Sequence, residues 1–153
     1  MNTAEPQNTS SLAPPSLLRR LGAVLYDTLL VAGLLLMAST IITLPTEMMF
    51  GAETSARVSK ALLVWLWPLI PLLFFTWFWT RGGQTLGMRS WRIRVVTEEG
   101  APLEARQALL RAACAVVSWL PLGLGFLWVL FDSEKRAWHD MLSGTRLIRL
   151  PKS

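Results

Sequence analysis

Two long apolar blocks constrain the fold of this chain more than any other feature of its sequence. Residues 17–44 and 61–80 each supply the roughly 20 apolar residues with which a helix crosses about 30 Å of hydrocarbon. Charged residues make up 16% of the chain, whereas soluble proteins carry about 25%. We therefore predict an all-α integral membrane protein in which these two blocks are transmembrane helices 1 and 2.

A third hydrophobic unit, residues 104–131, is compatible with two arrangements. It contains Arg111 and a break rich in Pro and Gly at residues 121–125, so it either crosses the bilayer or re-enters it as a hairpin. Cytoplasmic flanks carry an excess of Lys and Arg. With the N-terminus inside, three crossings leave eight cationic residues inside and seven outside, whereas a re-entrant hairpin leaves thirteen and two. We favour the hairpin, with both termini in the cytoplasm.

Polar segments separate the hydrophobic units and define the expected boundaries. Residues 1–16 are rich in Asn, Thr, Ser and Pro and should form a disordered tail. Residues 17–150 form the membrane domain, with a polar loop at residues 45–60, and residues 151–153 are a short C-terminal tail. After helix 2, apolar and basic side chains alternate along residues 91–95, which predicts a short amphipathic strand-like loop at the membrane surface.

The residue inventory argues against several classes of function. Cys114 is the only cysteine and His139 the only histidine, so an internal disulfide is excluded and a zinc site is disfavoured. The chain has neither a phosphate-binding loop nor a GxSxG nucleophile motif. Its basic residues flank apolar blocks and form no stripe between stacking aromatics, which disfavours nucleic acid. We expect a protein that is not an enzyme and that holds no cofactor or metal.

Asp27 is a carboxylate within transmembrane helix 1 and is the first candidate for a functional residue. An acidic side chain near the centre of such a helix costs about 2.5–3.5 kcal/mol, so it needs a partner, a water-filled cavity or a proton. Arg20 lies two turns earlier on nearly the same face. Arg111, Thr76 and carbonyls freed by Pro68 and Pro71 in helix 2 are further candidate partners. Asp27 either exchanges a proton or cation, or forms a packing bond between helices.

Three motifs occur together along the chain. They are RRLGAVLYD with Arg20 and Asp27, GGQTLGMRSWRIRVV, and AWHDMLSGTRLI with Asp140. With this set the chain resembles the RDD family of small membrane proteins, named for one arginine and two aspartates, over nearly all of residues 17–150. The resemblance assigns the arginine to Arg20 and the aspartates to Asp27 and Asp140, with Asp132 as a nearby rival for the last.

The resemblance implies a bacterial inner-membrane protein with one of two roles. Cation/proton exchange would require a homo-oligomer, because so few helices cannot line a pathway alone. Scaffolding of a membrane complex requires only a protein partner besides the lipid bilayer. His139 beside Asp140 suggests a proton relay, although consecutive residues of a helix normally face different neighbours. Asp140 can cap a helix at the cytoplasmic interface or pair with Arg20 there only if the C-terminus is also cytoplasmic.

Overall fold

The computed structural model describes residues 12–119 and 123–151 of the chain. Two helices, α1 and α2, are long and apolar enough to cross a membrane. In chain order the elements are α1 (Leu17–Phe50), α2 (Ala52–Gly82), α3 (Leu86–Ser90), β1 (Ile93–Thr97), α4 (Ala105–Trp119), α5 (Leu124–Leu127), a 3-10 turn (Trp128–Leu130), α6 (Trp138–Leu142) and β2 (Thr145–Arg149).

Helices α1 and α2 form a hairpin that reverses direction at Gly51. The polar loop predicted at residues 45–60 is wrong, because α1 continues to Phe50 and α2 begins immediately after the glycine. Gly51 has a φ of 76°, which glycine adopts without a steric penalty. Hydroxyl groups hold the two helices together here, with the side-chain oxygens of Thr46 and Ser55 2.9 Å apart. The polar composition of residues 45–60 was therefore not sufficient to predict a loop.

The other end of α2 is fixed to the rest of the protein at Gly83. The helix runs through both of its prolines and ends where Gly83 adopts the left-handed conformation, with a φ of 68°. The N–H of Gly83 donates to the carbonyl of Trp79 at 3.1 Å, and its own carbonyl accepts from the N–H of Val95 at 2.7 Å. This glycine cap directs the chain from α2 to the segment that leads into β1.

A two-stranded antiparallel sheet corrects the all-α prediction. Strand β1 comes from the alternating segment, whereas β2, near the end of the chain, was not predicted. The two strands pair with Val95 opposite Leu147. Because paired strands lie about 4.8 Å apart, the chain before α4 and the chain after α6 are at the same end of the molecule.

The third hydrophobic unit folds back on itself. Helix α4 ends at Trp119, and α5 begins after Gly123, which has a φ of 79°. Gly125 then packs on Ser118, since a Cβ added to Gly125 would lie 2.7 Å from the Cα of Ser118. The chain thus returns beside α4 before it reaches α6. Residues 121 and 122 of the predicted break lie outside the described residues.

The buried core lies at one end of the hairpin. On α1 the buried residues Arg20, Ala23, Asp27 and Val31 share one face. Helix α3 packs on α1, α4 packs on α2 and α6, and α6 packs on β2. We call this end of the molecule, with α3, α4, α6 and the sheet, the base. Its apolar core comprises Ala23, Trp79, Met88, Ile93, Val95, Leu103, Ala108, Ala112 and Leu147. Farther along the hairpin, apolar side chains such as Leu36 and Trp65 are exposed, as expected for lipid-facing helices.

A buried charge cluster as the candidate functional site

Asp140 is the centre of a charge cluster in the base. It is the third residue of α6, it is fully buried, and its Oδ2 accepts the N–H of Ala137 at 2.9 Å. The guanidinium of Arg20 donates to the same oxygen at 3.0 Å. The guanidinium of Arg111 lies 2.6 Å from Oδ1. One carboxylate therefore bridges two arginines that come from α1 and α4.

Both arginines make further contacts that extend the cluster. Arg20 donates to the carbonyl of Lys135 at 2.5 Å. Arg111 donates to the hydroxyl of Thr145 at 2.5 Å, and its guanidinium carbon lies 5.0 Å from the ring centre of Trp79. Such a cation–π contact is favourable when the cation is desolvated. The cluster consequently connects α1, α2, α4, the segment before α6, α6 and β2.

The electrostatics of the cluster keep Asp140 ionised. Burial alone would raise the pKa of Asp140, but Arg111, His139 and Arg20 outweigh it and hold this pKa well below its usual value. The Nε2 atom of His139 lies 3.6 Å from Oδ1 of Asp140. Burial nevertheless lowers the pKa of His139 to about 4, and the two arginines contribute in the same direction. At neutral pH the cluster thus holds two guanidinium groups, one carboxylate and a neutral imidazole.

Asp27 belongs to a different site. The hydroxyl of Thr85 donates to Oδ2 of Asp27, and the N–H of Gly87 donates to Oδ1 at 2.9 Å. Thr85 also accepts the N–H of Met88 at 3.2 Å and caps α3. Asp27 therefore anchors the start of α3 against α1. The expected partners Arg20, Arg111 and Thr76 do not bond to it, so Asp27 shares no partner with Asp140 among the described residues.

A glycine makes the Asp27 site possible. A Cβ added to Gly87 would lie 2.4 Å from the carbonyl oxygen of Ala23 and 2.8 Å from Oδ1 of Asp27. Any side chain at this position would push α3 away from α1. Gly87 belongs to the GGQTLGMRSWRIRVV motif, but its role in this close approach is visible only in three dimensions.

The remaining candidates lie apart from the cluster. Asp132 accepts the backbone N–H of Arg136 at 2.8 Å and its guanidinium at 3.4 Å. The backbone bond from Arg136 is the main cause of the lowered pKa of Asp132. The hydroxyl of Thr76 is buried without a hydrogen-bond partner in the described part of the chain. No group of three or more His, Cys, Asp or Glu suited to a metal occurs among the residues described.

Several residues of the two sites were missed in the sequence. Thr85, Thr145 and the carbonyl of Lys135 supply hydrogen bonds to the charged groups. Thr145 is also 2.8 Å from the hydroxyl of Ser143. Threonines in polar segments are too common to be singled out by composition. Arg111 was a candidate from the sequence, but as a partner of Asp27, whereas the structure pairs it with Asp140.

The acidic groups of both sites are engaged within the chain. Every oxygen of Asp27 and Asp140 faces a donor or a cation. Breaking a buried ion pair of this kind leaves an uncompensated buried charge. The cluster and the Asp27 site together hold the base of the hairpin in one arrangement.

Comparison with known proteins gives one match. The model described as the RDD family matches residues 14–144. No curated protein and no solved structure matches the chain. The matched region includes α1 through α6 and contains both acidic sites.

Proposed function

Because this chain belongs to the RDD family, we propose that it is a non-enzymatic scaffold or assembly subunit of a complex in the bacterial inner membrane. One observation carries the proposal: Arg20, Asp27 and Asp140 all make buried contacts within the chain. Charged groups engaged in this way fix how helices and loops associate. They are poorly suited to bind and release an ion in each cycle.

Cation/proton exchange through these residues is the weaker alternative. Exchange requires a carboxylate that binds and releases a proton and that is exposed in turn to each side of the membrane. Asp140 has no exposed surface, and losing its charge would leave two buried guanidinium groups without their anion. Both oxygens of Asp27 are bonded to α3 and the residues before it. An exchange cycle would have to break these contacts at every turnover.

The topology that accompanies this function has two crossings and a re-entrant third unit. Helix α4 has 15 residues, so at about 1.5 Å per residue it is roughly 22 Å long. This is shorter than the roughly 30 Å of hydrocarbon that it would have to cross. Its exposed face carries apolar side chains that suit a lipid environment: Leu109, Leu110, Val116 and Val117.

The distribution of cationic residues supports a cytoplasmic location for the base. Among the described residues, only Arg57 and Lys60 lie near the Gly51 turn, and the other twelve cationic residues belong to the base or its flanking segments. Cytoplasmic flanks are the ones enriched in Lys and Arg. Both ends of the chain are then cytoplasmic, and a partner would meet the base from that side or the exposed helices within the bilayer.

The experiment compares assembly with transport in the same preparation. The full chain, with a tag at its C-terminus, is cross-linked in native membranes, purified in mild detergent and examined for a partner of fixed stoichiometry. The purified chain is then placed in vesicles with a Na⁺ or K⁺ gradient and an internal pH dye. We expect a stoichiometric partner and no cation-driven proton flux.

The variant Asp27→Asn distinguishes a scaffold role from cation/proton exchange. The asparagine has nearly the same shape: its Oδ1 can accept the N–H of Gly87 while its Nδ2 donates to the hydroxyl oxygen of Thr85, so assembly should be largely retained. If the wild type shows cation-dependent proton flux and Asp27→Asn abolishes this flux while the protein still assembles, the scaffold proposal is wrong. Asp132→Asn, at a partly exposed site, serves as the matched control.

A further inference from the structure

An apolar groove runs along the outer face of the hairpin toward the base. Its wall is formed mainly by Leu34 of α1 and by Ile70, Leu73, Phe74, Trp77 and Phe78 of α2. Leu73 is 57% exposed and Trp77 is 52% exposed. These large side chains therefore line an open surface within the hydrophobic span.

Arg81 lies at the end of the groove nearest the base. Ile70, Phe74, Trp77 and Arg81 are spaced by four, three and four residues, so they share one face of α2. The guanidinium carbon of Arg81 lies 3.4 Å from the ring centre of Trp77. This stacking holds the cation beside the groove. Arg81 is exposed, and it forms no ion pair with any acidic residue that the structure describes.

We propose that the groove and Arg81 together bind one anionic glycerophospholipid. The phosphate lies at Arg81, and an acyl chain lies along Trp77, Phe74 and Ile70. Ile70 and Arg81 are 11 positions apart, which is a rise of about 16 Å along the helix. This is about half of the roughly 30 Å hydrocarbon core. The groove therefore has the depth of a single leaflet, with its cationic end at the headgroup level.

A second copy of the chain fits the groove less well than a lipid. A neighbouring helix would need to be in contact across both leaflets, and tightly packed membrane helices meet through small residues. The groove is instead lined by Leu, Ile and aromatic residues and extends through one leaflet. A parallel second copy would also bring another Arg81 to the same level, where the like charges repel. An anionic headgroup supplies the missing opposite charge.

Lipid binding to the purified full chain tests the proposal. The protein is delipidated in mild detergent and titrated with phosphatidylglycerol or with phosphatidylcholine of the same acyl chains, and bound lipid is counted by native mass spectrometry. We expect one tightly bound phosphatidylglycerol, with an affinity at least about tenfold above that for phosphatidylcholine. Both lipids carry a phosphate, but the choline cation of phosphatidylcholine cancels its net charge and is repelled by Arg81, whereas phosphatidylglycerol stays anionic. Free glycerol phosphate should bind much more weakly than the lipid.

Four variants distinguish the headgroup contact from the groove. Arg81→Gln should remove the preference for phosphatidylglycerol, and Leu73→Trp should weaken binding of both lipids by filling the groove. Arg57→Gln is the matched control, because Arg57 lies at the opposite end of α2 and pairs with Glu53 at 2.6 Å. It should bind phosphatidylglycerol like the wild type. Circular dichroism establishes that each variant is folded, and Arg81→Lys, which keeps the charge, should retain part of the preference.

Several results would overturn the lipid site. The headgroup contact is refuted if the wild type binds the two lipids with equal affinity, or if folded Arg81→Gln keeps the preference for phosphatidylglycerol. The lipid as ligand is refuted if glycerol phosphate binds as tightly as the lipid, or if the delipidated protein forms a dimer that excludes lipid from the groove. None of these outcomes depends on the scaffold proposal, since the scaffold role is measured by partner stoichiometry and the lipid site by bound phosphatidylglycerol.

Discussion

At the scale of single residues, the molecule depends on where each buried charge finds its partner. Asp140 is bridged by Arg20 and Arg111, whereas Asp27 is bonded to Thr85 and Gly87. The first arrangement pairs the carboxylate with two cations, and the second satisfies the carboxyl oxygens with neutral donors. Both avoid leaving the acidic oxygens without a partner in a poorly solvated environment. The two aspartates of the motif are therefore both satisfied when buried, Asp140 by cations and Asp27 by neutral hydrogen-bond donors.

Asp140→Asn should destabilise the protein strongly. The substitution removes the anion between two buried guanidinium groups, and breaking a buried ion pair in this way costs about 3–5 kcal/mol. Equilibrium unfolding in mixed detergent micelles, followed by circular dichroism, measures the change. Asp132→Asn is the control, since exposed or partly exposed pairs contribute at most about 1 kcal/mol. Similar losses for both variants would contradict the central role of Asp140.

His139 should make stability depend on pH between about 6.5 and about 4. Its pKa falls from 6.5 in the unfolded chain to about 4 in the folded protein, so the unfolded state binds more protons in this interval. Stability is then fully present above pH 6.5 and decreases as the pH falls toward 4, by on the order of 3 kcal/mol. Unfolding measured across this range provides the test.

The variant His139→Gln isolates the contribution of the imidazole. It should flatten the pH dependence between about 6.5 and 4, although the loss of packing on Phe126 is expected to lower stability at every pH. Asp140 also titrates, but its folded pKa lies below the usual value. Its contribution is therefore present above the unfolded pKa of 3.8 and is lost only at lower pH. An unchanged profile in the variant would refute the assignment to His139.

At the scale of elements, the short helix α3 packs very closely against the long helix α1. Helix α3 has only five residues, too few to be stable on its own. It is held by Asp27, by its own Thr85 cap and by the absence of a side chain at Gly87. Strand β1 follows it and joins β2, so the base is assembled from elements that each require their neighbours.

Gly87→Ala should separate α3 from α1. The added Cβ would meet the carbonyl oxygen of Ala23 at 2.4 Å, and because that atom belongs to a helix backbone it cannot move aside easily. Overpacking of this kind costs about 1–3 kcal/mol. We expect a corresponding loss in unfolding free energy and faster trypsin cleavage after Arg89.

Gly82→Ala is the matched control for this element. Nothing lies within 4 Å of a Cβ added at Gly82, and the residue is the last one of α2. Its stability and its rate of cleavage after Arg89 should remain close to the wild type. If the two alanine variants behave alike, the close packing of α3 on α1 is not important for stability.

At the scale of the whole molecule, the sheet and the topology depend on each other. Strand β1 precedes the third hydrophobic unit and β2 follows it, yet the two strands pair in a single sheet. A chain that crossed the bilayer once between them could not form this pair. The pairing therefore supports the proposed topology, in which α4 folds back and the chain does not cross the bilayer between the strands.

Reporter fusions should detect both termini on one side of the membrane. Alkaline phosphatase fused after Ser153 should be inactive, because it requires export, whereas the same enzyme inserted at Gly51 should be active. Green fluorescent protein at the C-terminus should be fluorescent. Phosphatase activity from the C-terminal fusion would contradict the re-entrant third unit and would favour three crossings.

The sequence by itself determined the two long apolar helices, because their length and composition are local properties that need no knowledge of the fold. The family resemblance also singled out Arg20, Asp27 and Asp140. Only the tertiary structure decided that Arg20 meets Asp140 across 120 positions while Asp27 meets Thr85 across 58. It also revealed β2, whose partner lies about fifty positions earlier. Such contacts depend on how the chain folds back at Gly51 and after Trp119, which no local pattern of residues specifies.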